Sequence, residues 1–132
     1  MNMPPGRRVL AVVPDLFFAT KIAATAKVSG VELELVPPQR AAARMAEAPA
    51  ALAILDLHAK DALDLVKALK LAAPTVPVVG FFSHVEVELR RDALAAGADA
   101  VLPRSQFVTK LAALLSRGIE ALKEPTPGAF PS

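Results

Sequence analysis

At 132 residues the chain is the size of one compact domain, long enough to bury a real core and too short for two full-sized ones. A 54% hydrophobic and 21% charged composition excludes disorder of the whole chain, and a net charge of +2 gives no basic surface of the kind direct nucleic-acid binding requires. The absence of cysteine removes disulfide frameworks, thiolate metal sites and cysteine nucleophiles, and without Trp or Tyr any aromatic contact falls to six Phe. No apolar run approaches the roughly 18 residues of a transmembrane helix. The apolar stretch behind Arg7 and Arg8 stops at Pro14, too soon for a secretory signal, so a cytoplasmic location is expected.

The elements follow from apolar spacing. Val9 to Val13 is a nearly unbroken apolar run and reads as a strand, followed by a helix over Asp15 to Ser29. Val31 to Val36 alternates apolar and acidic residues, which predicts a strand with one wet face at a sheet edge. A short helix over Gln39 to Ala48, with a weak face of Ala41, Ala42, Ala43, Met45 and Ala46, is fenced by Pro37, Pro38 and Pro49. Leu52 to Leu55 and Val76 to Phe82 read as buried strands, with helices over Ala59 to Ala73 and Val85 to Ala96. A last strand at Ala100 to Leu102 precedes a helix carrying Val108, Leu111, Ala112, Leu115, Ile119 and Leu122 on one face. The domain is expected over 1–123, and residues 124–132, with three prolines in nine residues, read as a flexible tail.

Strand and helix alternate five times, and strands this apolar must be covered on both faces, which predicts a parallel sheet between two helix layers. In such a sheet function collects at the carboxyl ends of the strands. Those ends hold Val13, Pro14 and Asp15; Asp56, Leu57 and His58; Phe82, Ser83 and His84; and Pro103, Arg104 and Ser105.

An Asp directly after the third strand, Val76-Pro77-Val78-Val79 opening the fourth, and Ala96-Gly97-Ala98-Asp99-Ala100-Val101-Leu102 leading into the fifth resemble the receiver domain of two-component response regulators, the CheY-like family. The resemblance covers all but the tail. It implies a flavodoxin-like (βα)5 fold with strand order 2-1-3-4-5 and makes Asp56 the phosphoacceptor candidate. It also implies a magnesium ion held by that Asp and an acidic pair after the first strand. The places of that pair hold Val13 and Pro14, with Asp15 one residue later, so Asp15 and Asp56 are the metal-ligand candidates and at most a weak Mg2+ site is expected. The family's switch hydroxyl falls on Phe82, with Ser83 next to it, and its Lys on Arg104. The proline that normally follows is replaced by Ser105, while Pro103 precedes.

This pattern resembles that of a pseudo-receiver, which implies a non-enzymatic signalling module working through a protein partner or a homodimer. The family's contact face, formed by the fourth helix, fifth strand and fifth helix, would here use Glu86 to Asp92 and the outer side of Thr109 to Lys123. Two rivals are a phosphoaccepting single-domain regulator using Asp56 and a binder of a small anionic ligand in the strand-end crevice, facing Arg104. Each residue also has a plain structural reading: Asp15 and Ser83 as helix caps, and His58 and His84 as loop residues rather than proton sensors. Asp56-Leu57-His58-Ala59-Lys60-Asp61 begins like the D-x-H-x-x-G of cobalamin modules, but Asp61 stands in the place of the Gly. Phosphate-cradling glycine loops and a G-x-S-x-G elbow are absent from the sequence.

Overall fold

The computed structural model describes residues 7–83 and 87–123. His84, Val85, Glu86 and the expected tail lie outside the described residues. Strands β1 (Arg8–Val12), β2 (Glu32–Leu35), β3 (Leu52–Asp56), β4 (Val78–Phe82) and β5 (Ala100–Pro103) alternate with helices α1 (Leu16–Val28), α2 (Pro38–Glu47), α3 (Ala62–Ala72), α4 (Val87–Ala96) and α5 (Arg104–Arg117). The strands are parallel in the order β2-β1-β3-β4-β5, as expected. No helix among the described residues is long and apolar enough to cross a membrane.

Because side chains alternate along a strand, the sheet divides the core in two. Leu10, Val12, Leu55, Val78 and Phe82 face α2, α3 and α4, where Met45, Leu65, Val66, Leu69 and Ala93 meet them. Val9, Ala11, Ile54, Val79 and Phe81 face α1 and α5, against Phe18, Ile22, Phe107, Leu111, Leu114 and Leu115. Every buried position of the described chain is apolar, which accounts for a high hydrophobic content without a membrane segment.

The Gly-Ala-Asp stretch has a structural task. Gly97, at φ 118°, turns the chain out of α4, a conformation that favours glycine. Asp99 then ties the start of β5 to β4: its Oδ2 accepts the Val78 amide at 2.8 Å and Lys70 Nζ at 2.9 Å.

Four expectations are corrected. β4 begins at Val78 rather than Val76, since Pro77 has no amide proton to give a ladder. The last helix stops at Arg117, where Gly118 takes φ 74°, and Gly118–Lys123 forms a 3-10 turn. Of the expected last-helix face, Leu111 and Leu115 are buried and Val108, Ile119 and Leu122 pack against the same core, but Ala112 faces out and Phe107 and Leu114 are buried in its stead. β2 is an edge strand, yet its alternation is only half realised: Leu33 packs on the core, whereas Leu35 is 47% exposed. Glu34 lies between Arg8 and Arg44, at 2.9 and 2.5 Å.

Candidate functional site

The carboxyl ends of the strands place the expected residues along one rim of the sheet. After β1, Val13 is buried and Pro14 exposed, and neither has a side-chain oxygen. Asp15 caps α1: its Oδ1 accepts the amides of Phe17 and Phe18 at 3.0 and 3.2 Å. Its other oxygen, Oδ2, accepts from Arg104 Nη2 at 3.1 Å. The Phe18 amide, and next the Arg104 guanidinium, hold the Asp15 carboxyl below the usual carboxylate range.

Arg104 is fixed from a second side. Its guanidinium carbon lies 3.8 Å from the centroid of the Phe18 ring, a cation–π contact. Phe18 in turn meets Phe81 edge-on at 5.0 Å, and Phe81 stacks on Phe107 at 4.7 Å. One aromatic cluster thus runs from α1 across β4 to α5 and carries the Asp15–Arg104 bridge at its outer end. The α1 cap and the α5 start are joined by residues 89 positions apart.

Asp56 is engaged differently. Its Oδ1 accepts the His58 amide at 2.9 Å, a turn formed by an Asp side chain with the backbone two residues on. His58 Nε2 accepts the Ser83 amide at 3.2 Å, which stitches the loop after β3 to that after β4. That bond requires a ring with no proton on Nε2. Ser83 itself is exposed and contributes its backbone to this contact. Phe82, at the place where the resemblance puts the hydroxyl, is buried in the core on the α2–α4 side. Asp61, in the place of the cobalamin-motif Gly, has φ 55° and its side chain makes no cap at the start of α3.

The structure brings Asp15 and Arg104 together and gives Asp56 to a backbone amide instead. A magnesium ion needs several oxygen ligands in near-octahedral array. Among the described residues no group of three or more His, Asp or Glu side chains could hold a metal ion. At the rim stand two residues without a side-chain oxygen, Val13 and Pro14, and two carboxylates, Asp15 engaged through both oxygens and Asp56 through Oδ1. The sequence positions permit Asp15, Asp56 and Arg104 to converge; the structure pairs the first and last and leaves Asp56 to the His58 amide. The Phe18, Phe81 and Phe107 cluster beneath the pair was missed, its only sequence signal being Phe18 three residues after the cap.

No family model and no curated protein matches the sequence. Solved structures share the fold. A response regulator from Hahella chejuensis is similar with a TM-score of 0.76 at 23% identity, over 86% of this chain and 95% of the other. HP1043, an orphan response regulator of H. pylori, gives 0.74 at 21% identity over 90% and 99%. The beryllofluoride-activated NtrC4 receiver domain dimer gives 0.74 at 19% over 86% and 97%. At these identities the likeness is one of fold: the chain has the fold of response-regulator receiver domains.

Proposed function

We propose that the chain is a receiver-like signalling module that acts through protein contacts, without magnesium-dependent phosphorylation of Asp56 and without an enzymatic reaction of its own. The observation that carries this reading is the Asp15–Arg104 bridge. The carboxylate after β1 and the cation after β5 satisfy each other, where a phosphorylating site needs the first for a metal and the second for a phosphoryl group. Val13 and Pro14 add no ligand, and buried Phe82 supplies no hydroxyl. The same pairing weighs against a small anionic ligand facing Arg104, since its charge is already countered by a carboxylate.

The partner face in this reading is the outer surface of α4, β5 and α5. On it Val87 and Leu94 are exposed, 64% and 38%, among the exposed charges of Arg90 and Arg91. An apolar centre with a charged rim is the usual anatomy of a transient interface. The working location is the cytoplasm, and no cofactor is required.

Incubation with magnesium and a small-molecule phosphodonor, followed by intact-mass measurement, tests the reading. The expected mass is that of the bare chain. A phosphate adduct that disappears in Asp56→Ala would establish the phosphoaccepting rival instead.

A further inference from the structure

α4 divides its charge between two flanks. Asp92 lines the cleft toward α3 together with Leu63, Lys67, Ala95 and Ala96, and Glu88, one turn earlier, shares that flank. Val87, Arg90, Arg91 and Leu94 follow the spacing of a single helix face, which turns away from α3 toward the sheet edge at β5. All four are exposed, and Ala93, between the two flanks, is buried.

The two arginines have no acid to meet. Among the described residues neither Arg90 nor Arg91 takes part in an ion pair or a side-chain hydrogen bond. β5 carries no charge, and α5 has Arg104, Lys110 and Arg117 but no Asp or Glu. Beyond these elements Asp99 is held by Lys70 and the Val78 amide, and Glu120 by Lys123.

This distribution of charge chooses between a second copy and a different protein as the occupant. A two-fold contact between copies brings residues of this one face against each other. Arg90 and Arg91 would then meet other cations or apolar side chains, and like charges pressed together oppose association. The occupant therefore has to bring the acids itself. A guanidinium presents a planar fork that grips a carboxylate through two parallel bonds. Val87 and Leu94 add an apolar centre, which suits a protein segment, whereas a nucleic-acid backbone calls for a longer basic stripe than a helix that also carries Glu88 and Asp92. We propose that α4 docks an acidic segment of a different protein, with Asp or Glu side chains on Arg90 and Arg91 and an apolar side chain between Val87 and Leu94. The proposal rests on the reading that the chain works through protein contacts, and it names the chemistry of the partner.

NMR titration of the whole chain with a short synthetic helix, Leu along one face and Glu beside it, tests this. Saturable shifts of the Val87, Arg90, Arg91 and Leu94 amides are expected. Affinity should fall at least about tenfold on going to about 1 M salt, where charges are screened beyond about 3 Å. A chain with both Arg90→Glu and Arg91→Glu binds at least about tenfold more weakly. Both side chains are exposed, so the fold is kept, and circular dichroism checks this. In sedimentation velocity the chain alone is expected to stay at 13.8 kDa up to about 1 mM. No shifts with the Glu helix, or equal shifts with a Lys version of it, overturn the proposal. So does a thymidine oligonucleotide that moves the same amides at lower concentration, which marks a nucleic-acid site. A mass rising toward twice 13.8 kDa, and falling back in Leu94→Asp, makes the occupant a second copy and leaves the protein-contact reading in place. Phosphorylation of Asp56 would instead overturn that reading, and intact mass measures it separately.

Discussion

Gly80 offers a test in which the sign of the effect decides. It sits in the middle of β4, opposite Leu55 of β3. A Cβ at this position would lie 2.9 Å from Leu57 Cγ and Cδ2 and 3.0 Å from Cδ1. Leu57 is buried at the exit of β3, its amide bonded to the Phe81 carbonyl at 2.9 Å, so the whole branched end of the side chain would have to shift. Without a clash, Gly→Ala in a compatible conformation stabilises by about 0.4–1 kcal/mol, because the unfolded chain loses freedom. Overpacking a core costs about 1–3 kcal/mol. The contact distances put the overpacking cost ahead, and Gly80→Ala is expected to destabilise by about 1.3 kcal/mol, the difference between the midpoints of those two ranges. Urea unfolding measures it, and a melting scan should show a fall of roughly 3–6 °C per kcal/mol for a domain of this size. Leu57→Ala alone opens a cavity at a cost of about 2–5 kcal/mol. In the double variant the new methyl occupies space that Leu57 has vacated, so the two costs should fall short of additive by at least about 1 kcal/mol. A Gly80→Ala chain as stable as wild type, or additive costs in the double variant, would refute the close approach of β4 to Leu57.

Asp61 holds φ 55° without a side-chain cap, so Asp61→Gly should stabilise by up to about 1 kcal/mol and Asp61→Val should destabilise by more than that, both read from urea midpoints. Equal midpoints would contradict the left-handed backbone. Arg104→Ala removes the stacking on Phe18 and should cost about 0.5–1 kcal/mol, with Phe18 ring resonances shifting in the NMR spectrum; unmoved resonances would argue against the contact. The Asp15 carboxyl is held low by the Phe18 amide and then by Arg104, and that of Glu34 by Arg44. A carboxyl with a depressed folded value is less protonated folded than unfolded. Its stabilisation is therefore present above the unfolded value near 4 and is lost as pH falls through the folded one. Asp15→Asn should accordingly lose less melting temperature than wild type between about pH 6 and about pH 3, and an equal loss would count against the cap and bridge.

Much of the fold was legible because burial on both faces writes unbroken apolar runs into β1, β3 and β4, and helical spacing into the segments between. The errors fall where backbone chemistry overrides the apolar pattern. Pro77 and Gly118 are apolar or neutral in any periodicity count, yet one cannot donate to a ladder and the other ends α5. Leu35 obeys the alternation of β2 but emerges at the strand end, where the core no longer covers it. At the site, residue types at the strand ends could be read by position. Their partners could not: Asp15 meets Arg104 across 89 positions, and Asp56 meets a backbone amide, a contact that no side-chain identity announces. The Gly-Ala-Asp stretch was visible as a motif, but its work, tying β5 to β4 through the Val78 amide, depends on the sheet order.

The central claim is that the strand-end rim does not take up a cation and a phosphoryl group, its charges being satisfied by Asp15 and Arg104. Amide NMR spectra recorded while magnesium and beryllofluoride are added together test it most directly. The amides of Asp56, His58, Ser83 and Arg104 are expected to stay in place. Saturable shifts of those amides that vanish in Asp56→Ala would contradict the claim.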